Sequence, residues 1–116
     1  MNSGNLIAEK SMNFAVRIVN FYKYLISEKH EYVMSKQILR CGTSIGANVK
    51  ESENAQSKAD FISKMNIALK EASESEYWLE LLYRTEYLSE RQYNDLNEDC
   101  TELIRILTAI VKSSKR

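Results

Sequence analysis

Arg40-Cys41-Gly42-Thr43-Ser44-Ile45-Gly46-Ala47-Asn48-Val49-Lys50-Glu51 decides the fold of this chain. At helical spacing Arg40, Ser44 and Asn48 share one stripe, and Ile38, Gly42, Ile45 and Val49 form an adjoining apolar or small face. A second dense segment, from Ala68 to Leu82, sets Glu71, Glu76 and Glu80 among Ala72, Trp78, Leu79 and Leu82. The two segments read as helices that pack closely along a polar seam. Gly42 and Gly46 each cost a helix about 1 kcal/mol relative to alanine, so a compensating close approach by a neighbouring backbone is expected.

Outside these segments the chain is helical in composition. Its 116 residues contain no proline and three glycines, too few turn formers for an all-β domain. We expect an all-α fold, with residues 1–116 forming one domain. The periodicity predicts helices from about Asn5 to Ser27, from Ser35 to about Asn54, from Ser57 to the high eighties, and from Ser89 onward. In the first, Phe14, Ile18, Phe21, Tyr22 and Leu25 mark an inner face, with Leu6 and Ile7 anchoring its start. Ser35 reads as an N-cap and Asn54 as a left-handed terminator. Ser57 with Asp60, and Ser89 with Gln92, read as capping boxes. In the last helix Tyr93, Leu96, Cys100, Leu103, Leu107 and Ile110 make a heptad seam. Ile104, Ile106 and Val111 lie off that seam, a surplus that suggests a subunit interface. Short connections make an antiparallel up-down-up-down four-helix bundle the default topology.

If the second and third helices form a hairpin turning near residue 56, residue 40 lies opposite residue 72. Arg40 then comes within a turn of Glu71 and Glu76. The expected ion pair is Arg40 to Glu76, with Ser44 and Asn48 as neutral members of the same layer. A polar ligand pocket is the functional alternative to this structural seam.

Formal charge sums to zero but is unevenly placed. Residues 1–50 carry seven basic and three acidic side chains, residues 51–102 five and thirteen, and residues 103–116 four and none. Arg17, Lys23, Lys36 and Lys50, with Lys112, Lys115 and Arg116 of the terminal run, are the candidate phosphate contacts. The same charges also serve as solvated helix faces. The acidic middle opposes a polyanion.

Catalysis has no visible constellation. A di-iron bundle needs paired Glu-x-x-His motifs, and the sole histidine, His30, has Ser27 three residues before it. Two separated cysteines and one loop histidine do not make a zinc site. We expect no enzyme activity, no cofactor and no metal. Cys41 and Cys100 read as reduced core thiols of a cytoplasmic protein. The first ten residues hold no continuous apolar segment of the secretory kind, and no uncharged stretch approaches the ~20 residues of a membrane span.

Arg40, the run Ser44-Ile45-Gly46-Ala47-Asn48-Val49 with Glu51, then Phe61, Ile67-Ala68 and Ala72-Ser73 with Glu76 together resemble a known bacterial family. These are the four-helix-bundle proteins first noticed as products of intervening sequences in large-subunit ribosomal RNA genes, often labelled S23 ribosomal proteins. The run Glu76-Tyr77-Trp78-Leu79-Glu80-Leu81-Leu82 resembles one branch of it. One departure is visible: where the family often has glycine after the residue matching Glu51, this chain has Ser52. The resemblance implies a bundle that assembles into a homo-oligomeric ring, commonly a pentamer. It also implies relatives among accessory proteins of diversity-generating retroelements, whose basic rings contact nucleic acid and a reverse transcriptase. The expectation is therefore a non-enzymatic ring-forming scaffold, with RNA or DNA as the candidate partner of its basic residues. The alternative is an adaptor that binds a protein partner through Tyr77, Trp78, Tyr83 and Tyr87.

Overall fold

Apolar residues recurring at three and four positions produce four helices: α1 (Ser3–Ser27), α2 (Met34–Ser52), α3 (Lys58–Arg84) and α4 (Glu90–Ser114). The computed structural model describes residues 3–115, and among them there is no strand. Each helix turns one stripe inward. Ile7, Phe14, Ile18, Phe21 and Leu25 come from α1, and Ile38, Cys41, Ile45 and Val49 from α2. The α3 stripe is narrow at its centre (Met65, Ala68, Ala72, Ser75, Leu79, Leu82), where small side chains let α2 and α4 approach. The heptad seam supplies Leu96, Cys100, Leu103, Leu107 and Ile110 from α4, and all these stripes meet in one hydrophobic cluster.

Packing links α1 with α2, α2 with α3, α3 with α4, and α1 with α4, whereas α1 does not pack on α3 nor α2 on α4. The contacts fix the levels. Gly42 lies against Ile18 and Gly46 against Ser11. Lys64 pairs with Glu51 at 3.3 Å, and the Ser75 hydroxyl donates to Cys41 Sγ at 3.3 Å. Cys100 Sγ donates to the Ala72 carbonyl at 3.2 Å, and the rings of Tyr83 and Tyr93 stack with centroids 4.7 Å apart. Lys10 pairs with Glu102 at 3.1 Å, and Arg17 pairs with Asp99.

The glycines serve α1. A Cβ on Gly42 would meet two carbons of Ile18 at 2.9 Å, so that level admits only glycine without displacement. At Gly46 the nearest atom is the Ser11 carbonyl oxygen at 3.4 Å, an ordinary contact.

The helix starts divide into expected and unexpected. Ser57 accepts from the Asp60 amide, and Asp60 in turn accepts from the Gln56 amide, one residue before the position a strict capping box would use. Ser89 and Gln92 form the full reciprocal box. Ser35, by contrast, is not the N-cap of α2. Val33 occupies that position without a side-chain bond, and Ser35 is buried inside the first turn. The cap comes from Glu31, whose carboxylate accepts from the amides of Val33, Met34 and Ser35 at 3.2, 3.0 and 2.7 Å. His30 takes a left-handed conformation, φ 52°, at the residue just before Glu31.

Three further expectations need correction. Asn54 is not left-handed; α2 ends at Ser52, and Glu53 caps it in a right-handed conformation. Glu86, φ 71°, ends α3 instead, in a closure where the amides of Glu86 and Tyr87 return to the carbonyls of Tyr83 and Leu82. The apolar surplus of α4 is smaller than its sequence suggests: Val111 is buried, while Ile104 and Ile106 pack against the core and stay partly exposed. The exposed apolar side chains are elsewhere, Leu6, Met12 and Val16 on α1, Tyr32 and Val33 in the first loop, and Ile67 and Tyr77 on α3. Leu6 thus anchors nothing, and Ile7 is the buried one of the pair.

Candidate functional site: a polar seam and a basic surface

Arg40 reaches across from α2 to α3 and holds two carboxylates, Nη1 donating to Glu71 at 3.0 Å and Nη2 to Glu74 at 2.6 Å. Trp78 Nε1 also donates to Glu74, at 3.1 Å. The expected partner Glu76 is not in this cluster. Five residues beyond Glu71, it lies about 140° around the helix, whereas Glu74 returns to within about 60°. Glu76 faces α4, where its charge adds to the burial that raises the Tyr93 hydroxyl and the Cys100 thiol.

The Arg40 side chain remains 53% exposed, so the cluster sits on the surface of the α2–α3 seam rather than beneath it. The hydrogen bond from Arg40 holds the Glu74 carboxyl below the ordinary carboxylate range; burial opposes the shift, and Trp78 adds to it. Ser44 and Asn48 do not extend the layer toward α3. Ser44 Oγ donates to the Arg40 carbonyl at 2.6 Å and Asn48 Nδ2 to the Ser44 carbonyl at 2.8 Å, both one turn back on α2.

The buried part of the seam is a pair that charge reasoning passes over. Ser75 Oγ lies between Cys41 Sγ and the Glu71 carbonyl. Its place in the small-residue run Ala68, Ala72, Ser75 was the available signal. Burial pushes the Cys41 thiol up to about 11 and the Cys100 thiol to about 12. Thiols held protonated in this way are poor nucleophiles at neutral pH. No cluster of three or more potential metal ligands occurs among the described residues.

The candidate phosphate contacts separate by their partners. Arg17 is committed to Asp99 and, at 3.4 Å, to the Asp95 carbonyl; Lys50 pairs with Glu53 at 3.3 Å. Lys23, Lys36, Lys112 and Lys115 are exposed and have no ion pair among the described residues, while Arg116 lies outside them. Of the aromatic residues proposed to bind a protein partner, only Tyr77 is exposed; Trp78, Tyr83 and Tyr87 pack partly against the core. No helix of the described residues is long and apolar enough to cross a membrane.

Residues 4–109 match the profile of the 23S rRNA-intervening sequence protein family, nearly the whole of the chain. The chain belongs to this family. A similar solved structure is the crystal structure of a protein of unknown function from the S23 ribosomal protein family of Bacteroides thetaiotaomicron VPI-5482. It shares 61% identity with a TM-score of 0.94, the match covering 96% of this chain and 99% of that one. No curated protein matches. The match spans both the Arg40–Glu51 and Ile67–Glu76 segments, and the similar solved structure shares the four-helix fold.

Proposed function

We propose that this intervening-sequence family protein is a non-enzymatic scaffold that contacts the phosphate backbone of RNA or DNA. The observation that carries the reading is the state of its cations. Lys23, Lys36, Lys112 and Lys115 stand exposed without an ion pair among the described residues, as do Lys29, Lys70, Arg91 and Arg105, whereas Lys10, Arg17, Arg40 and Lys64 are each paired across helices. Unpaired lysines attract polyanions without sequence preference, and their binding weakens steeply with salt.

The helices run up-down-up-down in this reading. Supporting it, residue pairs step in opposite directions along neighbours: Lys10 with Glu102 and Arg17 with Asp99, Glu51 with Lys64 and Arg40 with Glu71. Copies then assemble into a closed ring, which repeats each lysine around a circle. Met12 and Val16, 63% and 53% exposed on α1, and Ile67 and Tyr77 on α3 support this assembly, because α1 and α3 do not lie side by side within one chain. Two different apolar faces on separate helices suit a head-to-tail contact, the kind that closes rings.

Fluorescence anisotropy of labelled RNA and DNA with the purified protein, at about 50 mM and about 200 mM salt, tests the nucleic-acid reading. Binding that collapses with salt, and weakens when Lys112 and Lys115 are changed to glutamate, supports it. Absence of binding at low salt rejects it in favour of a protein-binding adaptor. Native mass spectrometry of the wild type and of Met12→Lys tests the ring, which predicts a defined oligomer that the substitution dissociates.

A further inference from the structure

A wide cleft lies where α1 ends beside the α3–α4 turn. It holds about 720 Å³ and is lined by Tyr24, Lys29, Tyr83, Arg84, Glu86 and Leu88. That volume falls in the range of ligand sites, roughly 300–1,000 Å³. Tyr24 also lines a second groove of about 330 Å³ that runs on between α1 and α4 past Arg17 and Asn20. The two spaces together make a track rather than an isolated hole.

Its aromatic walls are braced. Tyr83 stacks on Tyr93 at an interplanar angle of 10°, and Tyr24 on Phe21 at 23° with centroids 6.5 Å apart. The Lys29 ammonium stands 6.0 Å from the Tyr24 ring centre and forms no ion pair among the described residues. Arg84 is partly neutralised by Glu80 at 2.7 Å, and Ser89 and Gln92 are committed to the α4 cap. The groups left for a ligand are therefore two tyrosine rings, one free cation and the Glu86 carboxylate. Glu86 is held at the rim by its left-handed backbone.

We propose that this track binds single-stranded nucleic acid, with bases stacking on Tyr24 and Tyr83 and a backbone phosphate meeting Lys29. The inference rests on the nucleic-acid reading above and gives it a site and a strand preference. Glu86 and Asp95 line the track and disfavour the dense phosphates of a duplex. Stacking on aromatic rings needs less positive charge and accepts any base.

The experiment is anisotropy with labelled single strands of about 12 nucleotides and the matching duplex, long enough to follow such a track. The full-length protein is used throughout. The expected result is tighter binding of the single strand. Tyr24→Leu should weaken it by about ten-fold, the loss of one stacked base, while Tyr24→Phe keeps the ring and the affinity. Lys29→Glu, at an exposed position two residues before the buried Glu31 cap, should weaken it as well. Single-strand affinity unchanged in both Tyr24→Leu and Lys29→Glu, but lost in Lys112→Glu with Lys115→Glu, overturns the track and leaves the nucleic-acid reading standing. No binding of either strand form by the wild type overturns both.

Discussion

Glu31 shows how a single residue can organise a helix start from outside it. Burial alone drives its carboxyl upward, yet three amides of the first turn of α2 donate to it and leave it below the ordinary value of 4.5. A carboxyl depressed on folding contributes stability above its unfolded pKa, and that contribution disappears as pH falls through the lower folded value. Glu31→Gln keeps one acceptor but loses the charge, and should cost about 1–2 kcal/mol at pH 7, in the range of a lost cap. In urea melts the gap between wild type and variant should close on the acid side of pH 4.5; a gap constant down to pH 2 would reject the charge-based account. The Arg40 cluster calls for the opposite scale of expectation. With the guanidinium half in water, Arg40→Ala and Glu74→Ala should each cost about 1 kcal/mol or less, not the about 3 kcal/mol of a buried pair. Their double-mutant cycle should show a coupling of about 0.5 kcal/mol, and strict additivity would mean that the pair is idle in solution. The sequence exposed Arg40 and Glu71 as neighbours because both depend only on the position of the hairpin turn. The choice of Glu74 over Glu76 depends on helix rotation, which stripe counting resolves to no better than a residue or two. The Glu31 cap was hidden for a different reason: a carboxylate three residues before a helix begins has no fixed spacing signature.

At the level of elements, the capping boxes and the α4 heptad were legible because each is a local pattern. Ser89 and Gln92 satisfy one another's amides wherever the helix sits, and a 3–4 repeat faces one way. What the sequence did not distinguish is the role of two glycines that look alike. Gly42 faces Ile18, where a methyl group would meet two carbons at 2.9 Å, and Gly46 faces the Ser11 carbonyl at 3.4 Å. Gly42→Ala should therefore lose about 1–3 kcal/mol from overpacking, more than the about 1 kcal/mol that alanine adds by helix propensity. Gly46→Ala meets only ordinary contact and should be neutral or more stable by up to about 1 kcal/mol. Thermal melts of the two variants side by side decide the matter: equal shifts would show that α2 approaches α1 with the same tolerance at both levels. The apolar residues of α1 teach the same lesson in reverse. Met12 and Val16 lie one turn apart on the side of α1 opposite its buried stripe, where helical spacing alone already turns them outward.

Across the whole molecule the four interhelical seams are not built alike. Cys41 meets Ser75 between α2 and α3, and Cys100 meets the Ala72 carbonyl between α3 and α4, so both thiols lie in closely packed seams centred on α3. The α1–α4 seam is bridged by Lys10–Glu102 and Arg17–Asp99 and carries clefts of about 330 and about 150 Å³. Half-exposed ion pairs are screened by salt, while buried apolar packing is not. This asymmetry predicts two separable openings. With their thiols raised to about 11 and about 12, Cys41 and Cys100 are almost wholly protonated at pH 8, and both are shut inside the core. A thiol reagent should therefore modify the two at one common rate, set by global unfolding and little changed by salt. Amide exchange along α1 should instead quicken between about 0.1 M and about 1 M salt, as the two bridges to α4 weaken. If Cys100 reacts well before Cys41, α4 leaves the core by itself, and the weak edge is α3–α4 rather than α1–α4. If α1 exchange ignores salt, the bridges are ornamental, and Phe14, Phe21, Leu96 and Leu103 hold that seam closed by themselves.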